Sequence, residues 1–329
     1  MARIFIDGFE AGDLKLWDTV GNDAAIAAGG MDGSYCLNLN TISISYLAYV
    51  EKIVPSAAEY YVAFTHKGGT AYPDYIRAIL SFYNGTTLLG RITRNITSGF
   101  LEVRRGDTVI ATGGVYVSKT ATTLIEVRYK PHSDGVFQVR VNGVLDITFS
   151  GNTTSGFVTI DRIRFGSISS DGWPNCWIDN VVIDNAAWPG NTKIQGLVVN
   201  GAGAANEWAP SGDLNYQCVD EKPVSFDDFV STNTIGHKDT YGIGALTGSI
   251  ESIKAVQVQA TAVKEGNPTP ANLQLATRVG GADYFGGDNA IPTAAKAVSK
   301  LWELNPALIA TAWDEDAVNA IEIGMKAVA

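Results

Sequence analysis

Strict alternation of apolar and polar residues is the strongest pattern in this sequence, and it is clearest between residues 123 and 150. The apolar positions of this stretch are Ile125, Val127, Tyr129, Phe137, Val139, Val141, Leu145, Ile147 and Phe149. A period of two predicts β-strands with one buried and one solvated face. Asn142-Gly143 fits a two-residue hairpin turn, because both residues tolerate the positive φ angles of a type I′ turn. The stretch therefore predicts a three-strand antiparallel meander.

Shorter apolar segments separated by glycine-containing turns extend this pattern along the chain. Asn84-Gly85 separates one pair of segments and Arg105-Gly106-Asp107 another, where a hairpin turn is a better explanation than an adhesion tripeptide. Between residues 185 and 206 the composition shifts to Asn, Ala, Gly and Pro, which indicates a domain boundary. We predict an all-β protein with an antiparallel sandwich or barrel over residues 1–189 and a second, smaller β-rich domain over residues 190–329.

Composition narrows the class of protein further. Of the 329 residues 46% are apolar and 18% are charged, which is enough apolar material for two cores. The formal net charge is −10 without any basic block, so nucleic acid and anionic membranes are not expected partners. No apolar run approaches the length of a membrane span, and the first residues read as a strand instead of a signal peptide. We therefore expect folding in a cytoplasm, with Cys36, Cys176 and Cys218 as buried thiols.

Three motifs in the first 185 residues resemble the concanavalin A-like lectin/glucanase superfamily, which includes laminin-G-like domains. They are residues 7–14 (DGFEAGDL) followed by Trp17, residues 137–144 (FQVRVNGV) and residues 177–183 (WIDNVVI). They are similar to the first strand and turn, a hairpin, and the final strand of that superfamily. The resemblance implies that residues 1–189 form a lectin-type jelly-roll sandwich.

The second half resembles a small domain that recurs in structural proteins of tailed bacteriophages. The similarity lies in residues 304–307 (LNPA), in Trp313 and in residues 317–326 (AVNAIEIGMK). It implies a virion component that is assembled in the host cytoplasm, with other virion proteins as partners and a homo-oligomeric state. We assign particle attachment or self-association to this half, with Trp208, Trp302 and Trp313 as candidate contact residues and core packing as their alternative role.

Familiar catalytic patterns are missing from the sequence. Glucanases of this fold carry their acids on one strand as Glu-x-Asp-x-x-Glu, so that alternation points them into one groove, and that pattern does not occur in this chain. Acids such as Glu102 and Glu126 stand singly between apolar neighbours, as solvent-facing strand residues do. The three histidines lack metal-ligand spacing, and there is no nucleophile elbow or phosphate-binding loop. We therefore expect no enzymatic activity; catalytic carboxylates brought together from separate strands are the alternative.

One carboxylate indicates a metal ion. Asp179 shares a strand face with Trp177, Val181 and Ile183. If that face points inward, burying the carboxylate costs free energy unless a cation or several hydrogen-bond donors contact it. Jelly-roll carbohydrate modules with a similar pairing of first-strand and last-strand acids hold a structural calcium ion. By this resemblance Glu10 and Asp179 are candidate calcium ligands, completed by backbone carbonyls. The alternative is that Asp179 accepts backbone N–H groups and that Glu10 is a turn acid.

Aromatic residues in loops and turns are the candidates for contact with carbohydrate. Trp173, Tyr72 and Tyr75 lie in segments that read as loops, and Tyr83 is a further candidate, with core packing as the commoner role of such residues.

The function favoured by these observations is a non-enzymatic bacteriophage virion structural protein, a head decoration or fibre or a tail appendage. It displays a lectin-like domain, with a host-surface carbohydrate as a candidate ligand. The alternatives are a stand-alone carbohydrate-binding module or adhesin, and a degenerate glycoside hydrolase.

Overall fold

A computed structural model of the chain describes residues 3–39, 47–69, 77–166, 176–265 and 270–329. The chain divides into two compact units, Met1–Ile194 and Gln195–Ala329, a few residues after the boundary placed from composition. Within the described ranges, no helix is long and apolar enough to cross a membrane.

The first unit consists of β-strands. In chain order they are β1 (Arg3–Asp7), β2 (Thr19–Val20), β3 (Ala25–Ala28), β4 (Tyr35–Asn38), β5 (Tyr49–Ala57), β6 (Tyr60–Gly68), β7 (Arg77–Asn84), β8 (Thr87–Arg94), β9 (Leu101–Arg105), β10 (Thr108–Thr112), β11 (Thr123–Lys130), β12 (Gly135–Val141), β13 (Val144–Gly151), β14 (Ile160–Gly166) and β15 (Cys176–Asp184). Sheet A has the order β13-β12-β11-β6-β15-β4-β3, with β1 also paired to β15, and sheet B has the order β10-β9-β8-β7-β14-β5-β2. Neighbouring strands in both sheets run antiparallel, so the predicted all-β sandwich class is confirmed.

The predicted meander is present as β11, β12 and β13. Val127 lies opposite Val139, and Val139 lies opposite Ile147, so these apolar positions share one face. The prediction was wrong for Leu145, because an irregularity between Val139 and Arg140 places it opposite Arg140, where it is 52% exposed. Asn142 has φ 50° and Gly143 has φ 81°, as a two-residue type I′ turn requires. The local pattern therefore determines this part of sheet A.

The inner faces of the two sheets meet in an aromatic core. Phe82 on sheet B lies 4.8 Å from Tyr129 on sheet A, measured between ring centroids, and Phe165 lies 5.1 Å from Phe64 in the same way. Trp17 joins this core with its ring centroid 5.8 Å from that of Phe165. Each fully buried aromatic side chain contributes about 1.5–3 kcal/mol, so this layer is the main apolar stabilisation of the sandwich.

The segment after β15 covers part of the outer face of sheet A. Trp188 stacks under the guanidinium of Arg140 at 4.0 Å from its ring centroid, and the Gly190 amide donates to the carboxylate of Glu126 at 3.0 Å. Glu126 is only 2% exposed as a result, so the expectation that it faces solvent is wrong. Alternation placed Glu126 on the outer face of its strand correctly but could not show that another segment packs there.

The second unit is also mainly β-structure. Its elements are β16 (Val199–Asn206), β17 (Ala209–Pro210), a 3₁₀ turn (Asn215–Cys218), β18 (Val230–Ser231), β19 (Lys238–Ile243), β20 (Val256–Ala262), β21 (Asn272–Val279), β22 (Ala282–Ala290), β23 (Lys296–Trp302), α1 (Glu315–Asn319) and β24 (Glu322–Val328). A five-stranded sheet has the order β16-β19-β24-β21-β22, and β20 pairs with β23. Trp302 and Trp313 belong to the buried core and Trp208 packs against it, so these candidate contact residues serve the interior of their own unit.

Candidate functional site

Five strands of sheet B place polar side chains in one row on the outer face. Opposite one another in register are Glu51 on β5, Arg164 on β14, Ser81 on β7, Arg91 on β8 and Arg104 on β9. We call these five residues the arginine row. Their strand neighbours Val50, Phe165, Leu80, Ile92 and Val103 are fully buried in the core, so the row faces away from it. At a strand spacing of about 4.8 Å the row extends roughly 19 Å across the sheet.

Glu51 is the anionic centre at one end of the row. One of its carboxylate oxygens accepts from Arg162 Nη1 at 2.8 Å, and the other accepts from Arg164 Nε and Nη2 at 2.9 and 2.8 Å. Glu51 is only 1% exposed. A buried carboxylate is tolerated when charged donors meet it in this way, and in return it fixes the two guanidinium groups on the face.

The guanidinium of Arg164 also contacts two aromatic rings. Its central carbon lies 4.1 Å from the ring centroid of Tyr49 and 4.9 Å from that of Tyr83. Burial raises the pKa of Tyr83 above its ordinary value of 10. These cation–π contacts restrain the orientation of both rings. This end of the row therefore presents aromatic rings next to a charged guanidinium.

A second ion pair lies at the other end of the row. Arg104 Nη2 donates to Glu102 at 2.6 Å, and Asn95 Nδ2 donates to the other oxygen of the same carboxylate at 2.7 Å. Burial by itself raises the pKa of Glu102, but these hydrogen bonds outweigh it and the pKa lies below its ordinary value. Glu102 is only 7% exposed, so the expectation that it faces solvent is also wrong.

Sequence reasoning missed this cluster because its charges come from separate strands. The one local signal is Arg162-Ile163-Arg164, where alternation puts two cations on the same face of one strand. Arg91 and Arg104 are brought beside them by strand pairing, although the sequence has no basic block. The predicted aromatic contacts Trp173, Tyr72 and Tyr75 lie outside the described residues. Tyr83, the further aromatic candidate, is part of the face.

The candidate calcium ligands Glu10 and Asp179 hold the same short segment of chain. Ser34 N donates to Glu10 Oε1 at 2.8 Å, and Asp32 N donates to Asp179 Oδ2 at 3.3 Å. A Cβ atom on the intervening Gly33 would stand 1.8 Å from Glu10 Oε1, so a larger residue there would displace the Glu10 carboxylate from this position. The two acids, distant in sequence, thus lie around one loop.

The electrostatics of this pair suit a cation. Asp179 is 1% exposed, and burial raises its pKa to about 6, with further increases from the charges of Glu10 and Asp32. Carboxylate oxygens are the ligands that calcium prefers. In the described part of the chain, however, no group of three or more Asp, Glu, His or Cys side chains has metal-holding geometry. A calcium ion at this loop would therefore use these two carboxylates together with backbone oxygens, and we keep it as a proposal.

We expect calcium to raise the thermal unfolding temperature of the chain, and Asp179→Asn to remove that effect. A ligand that binds only the folded state at 100 times its Kd stabilises by about 2.7 kcal/mol. Scanning calorimetry with calcium, magnesium or EDTA measures the effect, with Asp134→Asn in an exposed turn as the control. Equal unfolding temperatures in calcium and EDTA would reject calcium and leave the hydrogen-bonding role of both acids.

No family model matches the chain, and no curated protein matches it. Solved structures with a similar fold include endo-β-1,4-glucuronan lyase from the fungus Trichoderma reesei (16% identity, 56% of this chain and 96% of that one, TM-score 0.43). A second is the cellulose induced protein Cip1 (15% identity, 57% of this chain and 100% of that one, TM-score 0.45). A third is domain 4 of a GH43 extracellular arabinanase from Geobacillus stearothermophilus in complex with arabinotriose (16% identity, 57% of this chain and 94% of that one, TM-score 0.39). These likenesses are distant and assign no activity to this chain.

The comparisons correct one prediction. The sequence predicted no enzymatic activity, but the solved structures that the chain resembles are mostly enzymes or parts of enzymes, including lyases and one domain of an arabinanase. The missing Glu-x-Asp-x-x-Glu strand excludes one catalytic design on this kind of sandwich. It says nothing of designs built from other residue types, so it was too narrow a ground for that conclusion.

Proposed function

We propose that the chain is a carbohydrate-binding protein and that its ligand lies along the outer face of sheet B. The observation that carries the proposal is the arginine row, flanked by Tyr49 and Tyr83. Binding residues of this kind must be held in place before the ligand arrives, since ordering them on binding costs affinity. The buried pairs of Glu51 and Glu102 fix the arginines in this way.

The chemistry of the face suits a sugar polymer. A guanidinium offers several N–H donors in one plane, and sugars present neighbouring hydroxyl groups that can accept from them. Arg162 Nε is buried and makes no hydrogen bond among the described residues. The row extends roughly 19 Å, because five strands are separated by four spacings of about 4.8 Å, and this is longer than a small ligand needs. We therefore infer an oligosaccharide or polysaccharide.

Affinity electrophoresis against a panel of neutral and acidic polysaccharides tests this proposal. We expect at least one polymer to retard the chain, and Tyr49→Ala or Arg162→Gln to weaken that binding about tenfold, which corresponds to about 1.4 kcal/mol. Arg128→Gln is the matched control, because Arg128 pairs with Glu59 and lies on sheet A. Shortening of the polymer is assayed in the same samples, to detect cleavage. Binding to none of the polymers would reject the proposal.

We further propose that the protein is displayed on a bacteriophage particle. Its second unit would attach the protein to the particle or join it to other copies of the chain. Three apolar side chains of one loop in this unit support a contact surface: Ile309 is fully exposed, and Leu304 and Leu308 are about half exposed. We expect light scattering of the full chain to give a homo-oligomer, and Ile309→Asp to shift it towards the monomer. A monomeric wild-type chain that also fails to bind particles lacking it would reject this part.

A further inference from the structure

Arg91 differs from the other arginines of the row in the exposure of its partner. Its Nη2 donates to Asp107 Oδ1 at 2.7 Å, and its side chain is 7% exposed whereas that of Asp107 is 86% exposed. The acids that pair with Arg104 and Arg164 are 9% and 1% exposed. The carboxylate on Arg91 is therefore the one among these three that solvent, or a ligand, can readily replace.

The position of Asp107 explains its exposure. It lies in the two-residue turn between β9 and β10, next to Gly106, whose φ is 54°. The turn brings the exposed carboxylate of Asp107 to the buried guanidinium of Arg91 from the side. A second carboxylate that brings further contacts can take the place of Asp107, because Arg91 then keeps an anionic partner.

We propose that Arg91 receives a carboxylate of the bound glycan in place of Asp107, so that the ligand class is an acidic polysaccharide built from uronic or similar sugar acids. The proposal rests on the proposed function and specifies its ligand. The contact with Asp107 already shows that this guanidinium can donate to a carboxylate oxygen, here at 2.7 Å. Arg91 then acts as the specificity-determining residue of the face.

The charge balance of the face supports the same class of ligand. Four arginines (Arg91, Arg104, Arg162 and Arg164) stand against three acids, the buried Glu51 and Glu102 and the exposed Asp107, which leaves one excess positive charge. The whole chain carries a formal net charge of −10, which repels acidic polymers from other surfaces. The one excess positive charge favours an acidic glycan over a neutral one at this face.

Matched polymers test the inference on the full chain. Alginate, pectate and polyglucuronate are each compared with the same polymer after its carboxyl groups have been reduced to alcohols. We expect the acidic form of at least one polymer to bind about tenfold or more tightly than its reduced form, since charge-assisted hydrogen bonds are about twice as strong as neutral ones. Added salt should weaken the acidic form only.

Two variants locate the effect at this ion pair. Arg91→Gln should remove the preference for the acidic form, and Asp107→Asn should strengthen binding severalfold, because asparagine suits the turn but does not compete for Arg91. Asp107→Asn also keeps the test valid if Arg91→Gln folds poorly, and Arg128→Gln on sheet A is the control. Equal binding of acidic and reduced polymers, or an unchanged preference in both variants, would overturn the inference and leave carbohydrate binding standing.

Two further outcomes are distinct. Binding of no polymer in either form rejects the proposed function together with this inference. Tighter binding of a single-stranded oligonucleotide than of every acidic glycan would overturn the inference by assigning the face to phosphate recognition.

Discussion

Replacing Glu51 by alanine is expected to destabilise the first unit by about 3–5 kcal/mol, the cost of breaking a buried ion pair from one side. The carboxylate, 1% exposed, meets both Arg162 and Arg164, and its loss leaves two partly buried guanidinium groups without their anion. Carbohydrate binding should weaken in the same variant, because the arginines and the ring of Tyr49 lose their fixed positions. Amide hydrogen exchange of residues 49–57, measured by mass spectrometry, gives the free energy of opening.

Glu59→Ala is the matched control for this prediction. Glu59 also pairs with an arginine, Arg128, at 2.5 Å, but its side chain is 26% exposed and that of Arg128 is 30% exposed. An exposed pair is worth about 0–1 kcal/mol, so the control should change stability little. Similar losses in the two variants would show that burial of Glu51 does not set its importance.

The sequence predicts the strands and turns of this protein better than it predicts which other segments pack against their outer faces. Asn142-Gly143 forms its turn from its own backbone preferences, and the strands on either side follow. Alternation also placed Glu102 and Glu126 on outward faces correctly. Their burial depends on contacts with Asn95, Arg104 and Gly190, and no short-range pattern contains that information.

The candidate site was harder to predict for a related reason. Glu51 and Arg164 are separated by 113 positions along the chain and become neighbours only when β5 pairs with β14. A search for basic blocks cannot find charges that sheet pairing assembles one strand at a time. Glu10 and Asp179 were paired in the sequence analysis because a resemblance connected the two ends of the domain. The residues alone do not indicate this pairing, and a calcium ion between them stays a prediction.

Between about pH 4 and pH 7, in EDTA, the stability of the first unit is expected to fall as the pH rises, by up to about 4 kcal/mol. Burial raises the pKa of Asp7 from 3.8 to about 7, although Phe9 N and Trp17 Nε1 donate to its two oxygens at 2.7 and 2.8 Å. In this window the unfolded chain has an ionised Asp7 and the folded chain a protonated one. Folding therefore takes up a proton. The free energy of unfolding that this protonation contributes decreases as the pH rises towards the pKa of Asp7 in the folded state.

Asp7→Asn separates this cause from others, because asparagine has nearly the same shape and does not ionise. Urea unfolding at several pH values should show a much shallower pH dependence in this variant, and the slope that remains includes the contribution of Asp179, whose pKa is also raised. Asp134→Asn, in an exposed turn, should leave the wild-type dependence unchanged. A wild-type stability that rises from pH 4 to pH 7, or an equal slope in Asp7→Asn, would show that Asp7 is ionised in the folded protein. The hydrogen bonds from Phe9 and Trp17 would then outweigh the cost of burying its charge.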